Sequence, residues 1–285
     1  MKRAFAILVC LLISVTSHAT QSKIVTVTGK ACMGDDKSRK QTEQEALIDA
    51  KRRAIEFTLT HLKAETRVKN FEFEKDLIEA YVHASISILQ EWDRAWFKDV
   101  ASGECFKTTI KAEVIPEEEK IEVLAKYTNL VEDPSSPLSI RAWTEKKSYG
   151  NGEMVKIFFR GNKHFYARVI YRNAAGELLQ LLPNPYRKAN FFSGDQVQEL
   201  PSGDDRFDIE VIPPFGTEEI TVFGSTSPLG AIELKKASTV YEVKTRPENI
   251  AIKTRGVTLT GKGGADRADT ADFAETKIVV VTADK

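Results

Sequence analysis

The chain has 285 residues, of which 42% are hydrophobic and 29% are charged, a composition that excludes a disordered or fibrous protein. Its 41 basic side chains balance 41 acidic ones, so the formal net charge is +0. This balance provides no strongly basic surface, and we therefore expect no nucleic-acid partner.

Residues 1–19 have the pattern of a secretory signal peptide. Lys2 and Arg3 form a positive segment, an apolar segment follows from Ala4 to Val15, and Ala19 ends a small-residue cleavage motif. The apolar segment is too short for a transmembrane helix, which needs about 20 residues. We expect cleavage near Ala19, no membrane span in the mature chain, and a periplasmic or secreted protein.

Two cysteines, Cys32 and Cys105, remain after this cleavage. An even pair in an exported protein predicts a disulfide, and both residues stand beside predicted strands. Closing a loop of about 73 residues would stabilise the fold by roughly 4 kcal/mol through chain entropy. Two unpaired buried thiols are the alternative.

Residues 20–116 are predicted to form a small α/β domain of one strand, two helices and two further strands. The run Lys23–Lys30 alternates apolar and polar residues, as a half-buried strand does. Apolar residues then recur at helical spacing, with a capping box at Thr42 and an alternative helix start at Ser38. The other predicted elements are a helix at Lys75–Ser87 and strands at Leu89–Val100 and Cys105–Ile115.

Trp92 and Trp96 stand in the predicted strand Leu89–Val100. Their even spacing predicts that the two indoles share one face of the strand. Core packing is one interpretation, and an exposed aromatic pair for glycan or protein binding is the other. Trp92 and Trp96 are therefore candidate binding residues.

The predicted first helix carries the pattern A-x-x-D-A-x-x-R-A from Ala46 to Ala54, and an alternating strand closes the unit. This arrangement resembles the N-terminal domain of flagellar assembly protein T and the related small envelope-lipoprotein domain. The resemblance extends over roughly residues 23–116. It implies a binding or assembly module without catalytic activity.

Residues 117–137 are predicted to be a short helix followed by a linker. Pro116 suits the first turn of that helix. The run from Asp133 to Pro137 contains two prolines and two serines, a composition typical of a domain boundary.

Residues 138–285 are predicted to form an antiparallel β-sandwich domain with a mobile C-terminal stretch, so that the chain as a whole is α+β. Short apolar runs between Gly, Pro, Ser and Asn turns predict such a sandwich. The stretch contains Asp266, Asp269 and Asp272, whose spacing differs from that of a calcium loop. The predicted strands are Ser139–Thr144, Met154–Arg160, Phe165–Arg172, Leu178–Leu182, Phe207–Ile212, Glu219–Ser225, Val240–Lys244 and Lys277–Thr282.

The order of several short motifs in this half is similar to that of the family called domain of unknown function 4384. Tyr149-Gly150 precedes a strand, the run Leu181–Tyr186 reads LLPNPY, and Phe215-Gly216 follows Pro214. The resemblance extends over roughly residues 137–260. It implies a bacterial envelope module without established catalytic residues.

Asn184 and Tyr186 are further candidate binding residues. Pro183 and Pro185 require the strand to end in a turn, in which Asn184 can bond the backbone. In this interpretation Tyr186 packs over the end of the sandwich. A loop for a ligand or a protein partner is the alternative.

The sequence shows no G-x-S-x-G motif, and the three histidines of the mature chain have no metal-ligand spacing. We therefore predict a protein without enzyme activity, metal or cofactor. The resulting hypothesis is an envelope protein that acts as an assembly, adaptor or protein-binding module for other envelope or secretion proteins. The alternative is a periplasmic module that binds a small ligand or a glycan.

Overall fold

The computed structural model describes residues 20–34, 37–65, 71–117, 133–134, 136–237, 240–255 and 270–284. The predicted signal peptide, most of the predicted helix and linker at 117–137, and Asp266 and Asp269 lie outside these described residues. Within the described ranges, no helix has both the length and the apolar composition needed to cross a membrane.

The described elements confirm the predicted α+β class, with a strand, two helices and two strands ahead of a β-rich part. The N-terminal elements are β1 (Thr20–Cys32), α1 (Arg39–Glu65), α2 (Phe71–Val82), β2 (Ser85–Asp99) and β3 (Gly103–Ile115). The C-terminal elements are β4 (Ile140–Thr144), β5 (Ser148–Gly150), β6 (Ile157–Gly161), β7 (Phe165–Arg172), β8 (Leu178–Leu182), β9 (Phe191–Phe192), β10 (Gln198–Leu200), β11 (Thr217–Ser225), β12 (Leu234–Ala237), β13 (Val240–Val243), α3 (Pro247–Arg255) and β14 (Thr270–Ala283).

One large sheet runs through both halves of the described chain. Its strand order is β12-β13-β8-β7-β11-β14-β1-β3-β2, with β5 added to β14 and β9 added to β7. Strand β14 is antiparallel to both of its neighbours, β1 on one side and β11 on the other. The division into two domains stays a prediction, and β14 links its two parts by hydrogen bonds.

Both faces of the large sheet are covered. On the face that we call the α1 face, α1 and α2 pack over β1 and β3, and the three-stranded sheet β10-β6-β4 packs over the C-terminal strands. This second contact is the predicted sandwich. On the opposite face, the α3 face, α3 covers a cluster that includes Ile24, Ile170, Phe223 and Phe273.

Helix α1 begins at the alternative capping box. The Ser38 amide donates to Oε1 of Gln41 at 2.8 Å, and the Gln41 amide donates to Oγ of Ser38 at 3.3 Å. This reciprocal pair satisfies two amides that the first turn leaves free. The start at Thr42 was wrong, because Thr42 lies inside the helix and donates its hydroxyl to the Ser38 carbonyl.

The Ala-rich pattern of α1 reflects a close approach of the helix to β1. A Cβ atom added to Gly29 would lie 2.2 Å from the Ala50 nitrogen and 2.3 Å from the Ala46 oxygen. Asp49, between these two alanines, accepts a hydrogen bond from the Lys30 amide at 3.0 Å. The small residues therefore permit the contact, and the aspartate fixes the helix to the strand.

The disulfide between Cys32 and Cys105 is confirmed. The two residues are directly opposite in the antiparallel pair of β1 and β3, and their sulfurs are bonded. The bridge joins positions 73 residues apart in the chain.

Strand β14 begins at Thr270, earlier than predicted, so the prediction of a mobile stretch was wrong for Asp272. This side chain is 5% exposed, and its carboxylate lies 2.5 Å from the Lys23 ammonium and 3.1 Å from that of Lys163. The Leu138 amide also donates to it at 2.9 Å. Burial raises the pKa of Asp272, but the two ammonium groups outweigh burial and lower it overall. These partners allow the charge to be buried.

A second buried ion pair lies on the α3 face. Glu113 of β3 lies 2.5 Å from Nε of Arg255, the last residue of α3, and accepts a hydrogen bond from the Ser22 hydroxyl at 2.5 Å. The Arg255 guanidinium also stacks over the Phe273 ring at 4.5 Å. Burial raises the pKa of Glu113 by more than Arg255 and Ser22 lower it. The pair ties α3 to strands from both halves.

Candidate functional site

A cavity of about 410 Å³ lies between the α1 face of the large sheet and the chain segment 207–214. This volume and the mostly apolar lining are typical of sites that bind small molecules. The apolar side chains around it include Leu179, Leu181, Phe207, Ile209, Ile220 and Val280.

One wall of this cavity is formed by side chains that point away from the same face of the large sheet. Tyr171 of β7 is opposite Leu179 of β8 and Ile220 of β11, and Glu218 of β11 is opposite Val280 of β14. Residues that are opposite each other, or two apart along a strand, point to the same side of a sheet. All five side chains therefore face the segment 207–214.

Glu218 and Tyr171 form a polar pair in this apolar wall. Glu218 is 4% exposed, and its carboxylate lies beside the Tyr171 hydroxyl. Burial raises the pKa of Tyr171, and the adjacent carboxylate raises it further, so the hydroxyl stays protonated. Among the described residues that line the cavity there is no lysine or arginine.

Three further carboxylates line the cavity on its exposed rim. Glu177, Asp208 and Glu210 are all exposed, and Glu177 accepts a hydrogen bond from the Asn173 amide group at 2.8 Å. Among the lining residues that the structure describes, every charged group is therefore an acid. In the described part of the chain, no three His, Cys, Asp or Glu side chains are grouped so as to hold a metal ion.

Asn184 and Tyr186 both lie beside this cavity. Asn184 lines it, but its amide group donates to the Leu181 carbonyl at 2.7 Å and its oxygen accepts from the amides of Tyr186 and Arg187. These bonds match the turn interpretation. Tyr186 is 50% exposed and stacks on Phe207, which lines the cavity, with ring centres 6.1 Å apart. Their role in binding stays a prediction.

Trp92 and Trp96 do not share a face, so that prediction was wrong. Strand β2 is irregular between Trp92 and Ala95, and Asp93 there has a positive φ of 53°. Trp92 is opposite Thr109, whereas Trp96 is opposite Phe106. Thr109 and Phe106 are three residues apart in β3, so their side chains lie on opposite faces of the sheet. The two indoles therefore point to opposite sides of the sheet and cannot form one aromatic surface.

The protein's own side chains cover Trp96 on the α1 face. Its indole nitrogen donates to Glu43 of α1 at 3.3 Å, and the Arg39 guanidinium stacks 4.7 Å from the ring centre. Trp92 remains 37% exposed on the other face. As candidate binding residues, the two would have to act separately.

The cavity residues Tyr171, Phe207 and Glu218 were not singled out from the sequence. Tyr171 lies within the predicted strand Phe165–Arg172, and Glu218 stands just before the predicted strand Glu219–Ser225. Phe207 lay in a predicted strand, Phe207–Ile212, that does not form. An isolated bridge between Met154 and Glu210 takes its place.

One sequence family matches part of this chain. Residues 148–228 match the family described as domain of unknown function (DUF4384). The match confirms the C-terminal resemblance over that span, which contains Tyr171, Asn184, Phe207 and Glu218. Comparisons with curated proteins and with solved structures gave no match. The N-terminal resemblance stays a prediction.

Proposed function

We propose that the protein is an exported binding protein whose cavity holds a small, largely apolar ligand. The observation that carries this proposal is the apolar cavity with the Tyr171–Glu218 pair in its wall. Ligand sites combine an apolar shape with a few polar groups that orient the ligand. This function is the small-ligand alternative predicted from the sequence, and it includes the prediction that the protein is not an enzyme.

A neutral apolar dye, Nile red, tests the cavity as a binding site. The dye is expected to gain fluorescence on binding, and Leu179→Trp should abolish the gain because the indole fills the cavity. The matched control is Val279→Trp, which adds the same ring to an exposed position on the α3 face. Equal binding to Leu179→Trp and to the wild type would show that the dye binds elsewhere.

An assembly or adaptor role is the second candidate, favoured by a partly exposed aromatic pair on the outer side of the three-stranded sheet. Trp143 is 40% exposed and stacks on Phe158, which is opposite it in the adjacent strand, with ring centres 5.9 Å apart. Exposed aromatic residues are enriched at protein interfaces. This surface would contact another envelope or secretion protein.

Co-purification from solubilised envelopes tests this second candidate. The wild type is expected to retain a partner that Trp143→Ala loses, while Val100→Ala, changed at an exposed position of the β2–β3 turn, retains it. Elution of the wild type alone under all conditions would count against an assembly role.

Export is supported by the Cys32–Cys105 disulfide, because such bonds persist in oxidising compartments such as the periplasm. N-terminal sequencing of the protein from its native source tests the signal peptide. A mature chain that begins at Thr20 is expected. A chain that retains residues 1–19 would contradict this part of the proposal.

A further inference from the structure

We propose that the ligand of the cavity is a cationic amphiphile, an apolar molecule that carries a protonated amine. This inference rests on the proposed function, because it names the ligand class of the same cavity. It is carried by the sign and the position of the charges around the apolar lining.

All charged groups that line the cavity among the described residues are carboxylates. Glu218 is buried in the sheet wall, and Glu177, Asp208 and Glu210 are exposed at the rim. Lys156 attracts Asp208, but its ammonium is bound to Glu199 at 2.5 Å. Apolar walls strengthen the field of such charges, so the cavity attracts cations and repels anions.

The position of Glu218 favours an ammonium group in particular. A carboxylate can accept about four hydrogen bonds, and the adjacent Tyr171 hydroxyl has a single proton to donate. The side chains next to Glu218 on this wall, Ile220 and Val280, are apolar and have nothing to donate. An ammonium has three donors and a compensating charge, which is what a buried carboxylate requires.

The lining around this anchor fits the rest of the ligand. Leu179, Leu181 and Ile209 provide apolar contacts for a hydrocarbon or aromatic body. The ligand would therefore place its amine at Glu218 and its apolar body between the sheet and the segment 207–214. A carboxylic acid of the same shape would meet like charge at both the wall and the rim.

Three probes of one shape separate charge from apolar contact: 4-phenylbutylammonium, 4-phenylbutan-1-ol and 4-phenylbutanoate. Each is titrated into the full-length protein by calorimetry at neutral pH. The amine is expected to bind at least about tenfold more tightly than the alcohol, and the carboxylate more weakly than either. This comparison uses the wild type alone, so it stands even if a variant fails to fold.

Glu218→Gln tests the anchor, because glutamine keeps the shape of the side chain and removes the charge. It should weaken binding of the amine about tenfold and weaken binding of the alcohol much less. Glu219→Gln is the matched control: the next residue of β11 points to the other face, where its carboxylate lies 3.2 Å from Arg172. This change should leave both affinities unaltered.

The outcomes separate this inference from the proposed function. If the alcohol or the carboxylate binds as tightly as the amine, or if Glu218→Gln leaves the amine affinity unchanged, the cationic ligand class is overturned. The cavity remains a binding site in that case. If none of the probes binds and Nile red also fails to bind, the proposed function fails together with the inference.

Discussion

Asp272 and Glu113 are buried carboxylates on opposite faces of the large sheet, and their pKa values shift in opposite directions. The pKa of Asp272 is lowered, so its contribution to stability is present above the pKa of the unfolded chain and is lost as the pH falls through the folded value. The pKa of Glu113 is raised, so its contribution is present at low pH and is lost as the pH rises through the folded value.

Asp272→Asn should destabilise the protein by about 3–5 kcal/mol at neutral pH, because it leaves the ammonium groups of Lys23 and Lys163 without their counter-charge. Urea unfolding measures this loss. The control is Asp195→Asn, which removes an exposed ion pair with Arg160 and should cost no more than about 1 kcal/mol. Equal losses in the two variants would contradict a stabilising role for the buried pair.

Glu113→Gln should change how the free energy of unfolding depends on pH, and not only its value at one pH. Unfolding free energies are measured from about pH 4, near the ordinary glutamate pKa, up to neutral pH. The free energy of unfolding of the wild type should exceed that of Glu113→Gln by less and less as the pH rises, because the wild type must then ionise a buried carboxyl. The stability difference between the wild type and Asp272→Asn should stay nearly constant over the same range, because this contribution is lost only below the unfolded pKa of aspartate. If the two stability differences changed with pH in the same way, the opposite pKa shifts of Asp272 and Glu113 would be refuted.

At the scale of elements, helix α1 and strand β1 are held at a separation that only glycine permits. Gly29→Ala would push a methyl group into backbone atoms of Ala46 and Ala50, which cannot rotate away. We expect a loss of about 3 kcal/mol in the free energy of unfolding. Gly203→Ala is the matched control, since no atom lies within 4 Å of the added Cβ and little change is expected. Wild-type stability for Gly29→Ala would contradict the close approach.

Elements whose signals are local could be predicted from the sequence. Strands β7 and β8 have the predicted bounds, because their apolar runs flank the turn Asn173–Gly176, where Gly176 has a positive φ. Helix α3 was missed, although Pro247 and Glu248 at its start and basic residues in its last turn are ordinary helix signals.

Features that depend on distant partners could not be predicted. Asp272 belongs to a strand because Lys23 and Lys163, far away in the sequence, neutralise it. The cavity was missed for the same reason, since Tyr171 and Glu218 stand on different strands and meet only through the sheet register. The irregularity at Asp93 leaves no clear trace in composition, yet it separates the faces of Trp92 and Trp96.

At the scale of the whole molecule, the fold depends on β14 for both of its parts. The fragment 138–255 contains the whole family match but lacks this strand. We expect the fragment to remain unfolded alone, because β11 loses one of its two neighbouring strands, β5 loses its partner and the core loses Ala274 and Val280. Circular dichroism and the dispersion of an amide NMR spectrum measure this.

Adding a synthetic peptide of residues 270–284 should restore the folded spectrum of the fragment. The same peptide with Val280→Asp is the control, and it should fail because it places a charge in the core. A fragment that folds fully without any peptide would show that β14 is dispensable for the C-terminal part.

The position of β14 also orders events during biosynthesis. It follows every other described strand in the chain, so β1 and β11 each keep one unpaired edge until residues 270–284 leave the ribosome or the export channel. Unpaired edges are templates for pairing with other chains. A truncated product that stops before Thr270 therefore carries two such edges and is expected to aggregate or to be degraded. Emergence of β14 is therefore the step that pairs both of these edges.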